Sequence, residues 1–249
     1  MAQRFSNGRL GMKLSIIIPA FNEEDRIVNT LNKTLAYLCA QSYSAEVLVI
    51  SDGSKDGTCR VVRNFAPASN VRISCLEYHP NRGKGYAVRY GMCKGRAEVI
   101  MFMDADYSVP IEAVQDGFAL LESGCDIAIA SRAMAGSVIN QHQNRAREFS
   151  ARLYTYIQNC YLGLSYPDTQ CGFKLFTQKA AHTLFALQRL NSVIYDPEIL
   201  FLAKRHSFTV GQFPVCWTHH EDSRIQYDSF RKSIFVFQEL FRIRLLHRL

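Results

Sequence analysis

Val99-Ile-Met-Phe-Met-Asp104-Ala-Asp106 decides the fold: five apolar residues in a row, then two aspartates separated by one small residue. A run that is apolar on both faces reads as a strand covered on both sides, the habit of parallel sheets. Three more runs share the form: Leu14-Ser-Ile-Ile-Ile-Pro-Ala20, Val47-Leu-Val-Ile-Ser-Asp52 and Asp126-Ile-Ala-Ile-Ala-Ser131. Helical patterns lie between them. Ile27, Leu31, Leu35 and Leu38 recur at helical spacing behind Asn22-Glu-Glu-Asp25, whose acids suit a helix N-terminus. Residues 58–65, 85–94 and 109–122 give further crossover helices, the last with Pro110 in its first turn. Alternating strands and helices predict an α/β, doubly wound, mostly parallel, Rossmann-like sheet whose ligand sits outside the carboxyl ends of the strands.

Beyond Arg132 the pattern changes to a long mixed helix through Leu162, a loop over 166–173, a strand-like run over 209–217 and a basic, apolar tail. With 249 residues, 48% hydrophobic and 20% charged, the chain has ordinary globular composition, which excludes disorder and repeat arrays. A net charge of +7 suits an anionic partner: nucleic acid, nucleotide, lipid phosphate or acidic membrane surface. The eight cysteines stand singly, so neither a zinc site nor a disulfide framework is expected, and a reducing cytosol is the simpler setting. Residues 1–11 are polar and unlike a signal peptide, and no uncharged apolar run reaches the ~18 residues of a membrane span. Membrane contact is therefore expected to be peripheral, at a cytoplasmic face.

Asp104 and Asp106, at i and i+2 of extended chain, share a side and can converge on one hard cation, magnesium or manganese. The alternative is a strand-end and helix-cap pair, with Asp106 and Ser108 capping the helix that begins near Pro110. Asp52 should lie at the same sheet edge, where it can accept hydrogen bonds from a base or ribose, while Asp56 caps the next helix or orders the turn; an ordinary Gly-rich turn is the bland alternative. Glu23 either bonds a base edge or ribose hydroxyl, or serves only the helix dipole. Asn81-Arg-Gly-Lys84-Gly85 combines cations and glycines, as expected where backbone and Lys84 approach a diphosphate. It is not a Walker A loop, because no Ser or Thr follows Lys84, and Val88 replaces the third glycine of a dinucleotide fingerprint.

Taken in order, Ile-Ile-Pro19-Ala-Phe-Asn-Glu23-Glu, Asp52-Gly-Ser-Lys-Asp-Gly-Thr58, Asn81-Arg-Gly-Lys-Gly85 and Asp104-Ala-Asp106 resemble the family-two glycosyltransferases of GT-A fold, over residues up to about 135. Asp168-Thr-Gln-Cys-Gly-Phe-Lys174 and Trp217-Thr-His-His-Glu-Asp-Ser-Arg224 look like the dolichyl- or polyprenyl-phosphate β-glucosyltransferase subfamily. Relatives that use GDP-mannose share the first half, and the 168–174 run tilts the expectation towards UDP-glucose. The resemblance implies that Pro19, Ala20, Glu23 and Asp52 line the nucleoside pocket, Lys84 faces the diphosphate, and Asp104, Asp106 and Ser108 surround Mg2+ or Mn2+. Ser51 departs from the pattern, since many relatives carry a second Asp there. One catalytic domain over 1–229 is expected, with a nucleotide-sugar half (12–132) and an acceptor half (133–229), followed by a basic amphipathic helix over 230–249.

An acceptor phosphate is already ionised and needs no general base, but cations must hold it beside a second anion. Arg132, directly after the 126–131 run, is the first candidate, with Arg145, Arg147 and Lys174 behind it. Asp168 is expected to position the acceptor or a donor hydroxyl, and His219, His220 and Arg224 to come from a lid over the diphosphate. In-line displacement would invert the donor linkage. Expected partners are a UDP-sugar, a polyprenyl-phosphate lipid and a membrane surface, but no nucleic acid, since acidic strand ends repel a phosphate backbone and no aromatic-and-basic RNA motif is present. The alternatives are mannosyl transfer from GDP-mannose, transfer to a glycan hydroxyl, and a non-catalytic nucleotide-binding module.

Overall fold

The structure is a computed structural model that describes residues 12–66, 69–140, 145–218 and 230–248. The four apolar runs form β1 (Leu14–Ala20), β2 (Ala45–Asp52), β4 (Val99–Met103) and β5 (Ile127–Ser131). Between and around them lie α1 (Glu24–Cys39), α2 (Thr58–Arg63), β3 (Val71–Tyr78), α3 (Lys84–Met92), a 3-10 turn (Ile111–Ala113) and α4 (Val114–Glu122). The second half supplies β6 (Val138–Ile139), α5 (Arg145–Leu162), β7 (Phe173–Thr177), α6 (Gln178–Leu187), α7 (Tyr195–Arg205), β8 (Val210–Pro214), β9 (Cys216–Trp217) and α8 (Phe230–Leu246).

Seven strands make one sheet in the order β3-β2-β1-β4-β7-β5-β8, and β7 alone runs antiparallel to its neighbours. Strands β6 and β9 pair separately. Side chains alternate between two cores. Ile16, Ile18, Val47, Val49 and Met101 face α1, α2 and α4, while Ile17, Leu48, Ile50, Ile100 and Phe102 face α3, α6, α7 and α8. Because β1 lies between β2 and β4, chain order reverses beside it, and the crevice at this switch point opens where β1, β2 and β4 end.

Two strands of the seven-stranded sheet escaped the sequence reading. In β3, Val-Arg-Ile-Ser-Cys-Leu-Glu-Tyr alternates as an edge strand does. β7 reads Phe-Lys-Leu-Phe-Thr and falls where a loop was expected to end, and it carries residues of the second half between two strands of the first. The helix expected directly after Arg132 begins only at Arg145, with β6 before it. A further correction concerns the cysteines: Cys59 of α2 and Cys75 of β3 form a disulfide, their Cα atoms 5.8 Å apart. Packing of α2 on β3 brings together residues that the linear spacing leaves single.

Lys174 requires correction too. On β7 it shares the face of Phe176, where it is 1% exposed, and its Nζ donates to Asp196 Oδ1 (2.5 Å) and to the Cys171 carbonyl (2.7 Å) above the Phe102 ring. It is spent inside the core and offers nothing to an acceptor phosphate. Removing one member of a buried pair strands the other charge, so Lys174→Met should lower the unfolding free energy by about 3–5 kcal/mol. A Lys174→Met, Asp196→Leu double variant should recover most of that loss in denaturant titrations.

Candidate active site

A cavity of about 350 Å³ opens at the carboxyl ends of β1, β2 and β4, and Pro19, Ala20, Glu23, Asp52, Lys84, Asp104 and Asp106 all line it. The residues expected around a nucleotide are thus brought together; Arg224, with His219 and His220, lies outside the described residues. Each is set by local chemistry. Asp52 accepts the backbone N–H of Arg82 at Oδ1 (2.7 Å) and of Gly83 at Oδ2 (2.9 Å), while Asn81 Nδ2 returns a bond to the Asp52 carbonyl. The carboxylate therefore ties the 81–83 turn to the end of β2. Gly53, at φ 71°, lets the two loops touch, since a Cβ there would meet the Asn81 nitrogen at 2.6 Å.

Glu23 stands at the N-cap of α1, where its N–H donates to Thr58 Oγ1 and its two oxygens receive the Arg26 guanidinium at 2.7 Å each. Asp56 orders the neighbouring turn: its oxygens accept the N–H groups of Glu24 and Thr58, so the ends of α1 and α2 are joined. Burial pushes the Asp56 carboxyl upward, but the bonds from Thr58 and Glu24 outweigh it and hold it below its ordinary value.

Asp104 follows β4, and its Oδ1 accepts the Lys84 ammonium at 2.6 Å. Burial alone would lower Lys84; the charges of Asp104 and Asp196 outweigh it and keep the amine protonated well above its usual range. The helix-cap alternative for Asp106 does not hold. Its Oδ1 accepts the Ser108 N–H (3.0 Å) and hydroxyl (2.7 Å), a local turn, and the 3-10 helix beyond Pro110 starts with no side-chain cap. Ser108 consequently orients Asp106 rather than facing outward by itself. One oxygen of each aspartate takes no hydrogen bond from the described residues, and two such oxygens at one cavity are a donor set that would suit Mg2+ or Mn2+ completed by phosphate and water. Among the described residues no three His, Cys, Asp or Glu side chains form a self-sufficient metal cluster.

On the other side of Asp104 stands a second assembly. Asp168, 7% exposed, accepts Arg132 Nε (2.7 Å), Nη2 (2.9 Å) and backbone N–H (3.0 Å), together with the Gln170 N–H (3.1 Å). Burial raises the Asp168 carboxyl, but the Arg132 guanidinium more than reverses this and holds it ionised below the usual range. Burial likewise works against the Arg132 charge, and Asp168 overrides it upward. The guanidinium also lies 5.3 Å from the centre of the Trp217 ring, which is itself packed against the core. Cys171, beneath the pair, is buried and its thiol is pushed up to about 12, first by burial and then by Asp168. Of the other acceptor candidates, Arg145 and Arg147 lie at the start of α5.

Gly172 went unread in the sequence although it stands inside a quoted motif. It precedes β7 directly beside β4, and a Cβ there would overlap the Asp104 carboxylate. An antiparallel strand entering the sheet at this level needs a residue without a side chain.

Comparison with known proteins shows the family and the fold. Residues 15–185 match the family model Glycosyl transferase family 2. The chain belongs to that family. It is similar to the dolichyl-phosphate beta-glucosyltransferases of Dictyostelium discoideum (32% identity, 93% of this chain and 73% of the relative), Trichomonas vaginalis (32%, 85% and 66%) and Homo sapiens (31%, 86% and 69%). It thus spans about two thirds to three quarters of these relatives. Among solved structures, glucosyl-3-phosphoglycerate synthase from Mycobacterium tuberculosis in complex with Mn2+, UDP and glucosyl-3-phosphoglycerate shares the GT-A fold with a TM-score of 0.66 at 16% identity, covering 98% of this chain and 85% of that one.

Two measurements test the site. Gly172→Ala should displace the Asp104 carboxylate and lower turnover about a hundredfold, the cost of a roughly 1 Å misplacement, with little change in the thermal unfolding midpoint. The Asp168 carboxyl, depressed in the folded chain, should contribute its full stability above its unfolded pKa of about 3.9 and lose it as pH falls through the lower folded value. Unfolding followed from pH 5 downward should therefore show an acid-dependent loss that Asp168→Asn lacks.

Proposed function

We propose that this glycosyltransferase moves glucose from UDP-glucose to a polyprenyl phosphate, with inversion, at a membrane surface. The observation that carries the acceptor reading is Asp168. A carboxylate held below its ordinary pKa by an arginine, and receiving four hydrogen bonds, is a poor proton acceptor. That suits an acceptor already ionised and argues against transfer to a glycan hydroxyl, which would require a base. The names of the sequence relatives point to the same acceptor class.

In this reading the nucleotide occupies the 350 Å³ cavity, and the Lys84 ammonium turns from Asp104 onto the donor diphosphate. Asp104 and Asp106 would hold Mg2+ or Mn2+, which when bound supplies positive charge to a departing diphosphate. Asp168 grips Arg132 along one guanidinium edge, through Nε and Nη2, leaving Nη1 to donate to the acceptor phosphate. An acceptor oxygen so placed attacks the anomeric carbon from the face opposite the diphosphate, which inverts the linkage. Arg132 supplies direction more than net charge, because Asp168 already balances its cation.

Support for a lipid surface comes from α5 and α8, which pack side by side through Tyr161 on Phe241 (4.9 Å) and Tyr154 on Phe237 (5.7 Å). Leu153, Tyr156, Ile234, Phe235 and Leu245 remain exposed beside Arg242 and Arg244, a mixture suited to the interface of an anionic bilayer. Among the described residues no helix is long and apolar enough to cross a membrane. Incubating the protein with UDP-glucose, GDP-mannose or UDP-N-acetylglucosamine, a polyprenyl phosphate and Mg2+, and weighing the products, tests the reading. A lipid hexose from UDP-glucose is expected; product from GDP-mannose alone would overturn the donor assignment.

A further inference from the structure

The first N–H groups of a helix are unpaired and favour an anion, so the start of α3, carrying Lys84, would be a natural diphosphate cradle. The structure closes that option. Gly85 N–H (2.9 Å) and Tyr86 N–H (3.4 Å) both donate to the carbonyl of Asn191, a residue of the segment that joins α6 to α7. The approach is close enough to require glycine: a Cβ on Gly83 would lie 2.5 Å from the Asn191 oxygen, and one on Gly85 would lie 2.6 Å from the Ser192 oxygen. Segment 188–192 therefore caps α3 from outside, and the charge offered to a diphosphate here is left to the Lys84 side chain.

This segment is itself gripped from both directions. On the donor side, buried Gln188 donates through Nε2 to the Gly85 carbonyl (2.9 Å) and the Leu190 carbonyl (2.7 Å). On the far side, the fully buried Glu198 of α7 accepts the N–H groups of Arg189 (2.7 Å) and Leu190 (2.9 Å), and its Oε1 also meets His247, just beyond α8, at 2.7 Å. Ser192 Oγ donates to Glu239 Oε2 of α8 at 2.9 Å, and Glu239 is 4% exposed. Val193, the next residue, lines the donor cavity. A continuous hydrogen-bonded path thus runs from the C-terminal helix to the backbone of Gly85, one residue from Lys84.

We infer that segment 188–192 is a strap that positions Lys84 for the donor diphosphate, with Gln188 and Ser192 as positioning residues, and that α8 sets nucleotide affinity through it. The inference rests on the donor reading of the cavity and goes beyond it by making a distant helix part of nucleotide binding. Ser192→Ala removes the direct bond from the strap to α8 and leaves the Glu198–His247 contact in place, Ser192→Thr keeps the hydroxyl, and Gln188→Met preserves length but loses both donated bonds.

Calorimetric titration of UDP and of GDP, with Mg2+, into the full chain and these variants tests the inference, with thermal unfolding measured in parallel. The Kd of the nucleotide that the unaltered chain binds should rise about three- to tenfold in Ser192→Ala and in Gln188→Met, the range expected for loss of one or two hydrogen bonds that act at a distance from the nucleotide. Ser192→Thr should restore it, and the unfolding midpoint of Ser192→Ala should move little. Unchanged affinity in both loss variants overturns the strap while leaving the donor reading intact. Weakening that merely follows a fall in unfolding midpoint and is not restored by Ser192→Thr also overturns it. If the unaltered chain binds neither nucleotide, the donor reading falls and the strap falls with it.

Discussion

Phe173 pairs with Met103, and Lys174 with Phe102, so the second half of the chain enters the sheet at the level where β4 ends and its two aspartates begin. The Arg132–Asp168 side of the site follows from this antiparallel entry. The residues just before β7, from Asp168 to Gly172, must lie at the carboxyl edge of the sheet, beside strand ends from the first half. β5, on the other flank of β7, delivers Arg132 to the same edge. The Lys84–Asp104 pair and the Arg132–Asp168 pair therefore meet across one strand, although their residues come from both halves of the chain.

The same arrangement concentrates charge. Asp104, Lys84, Asp196 and Lys174 form a chain of alternating sign from the cavity into the core, and Arg132 with Asp168 forms a second pair beside it. In a poorly solvated interior such alternation is required, because an uncompensated charge would be costly. It also means that no member acts alone: parting Lys84 from Asp104 would oblige both charges to find other partners.

The first-half strands were legible because parallel strands buried on both faces leave long apolar runs, and the residues closing those runs are what the sheet edge presents. Asp52 and Lys84 could be placed at the site from strand order alone. The functional detail of Asp52 was not legible, since its bonds to Arg82 and Gly83 depend on how two loops fold onto each other. Lys174 misled the reading because cations near an anion site are expected to face it, and nothing in the local pattern says that Asp196, 22 residues later, folds over it. The disulfide between Cys59 and Cys75 was hidden for the same reason: it depends on the docking of α2 against β3. Gly172 was visible as a letter, but its meaning arises only when β7 is known to lie against β4.

Strand β7 also bears on how the chain is made. During synthesis from the N-terminus, residues up to β5 emerge long before residues 173–177, so β4 has one unpaired edge and β5 has no partner on either side. An apolar strand with an open edge is a site for illicit pairing with other chains. The nascent protein must therefore hold an incomplete sheet for the time needed to translate β6, α5 and the loop that follows. Covering of the β4 edge and assembly of the candidate site then become a single late event in biogenesis, and a half-made chain has neither.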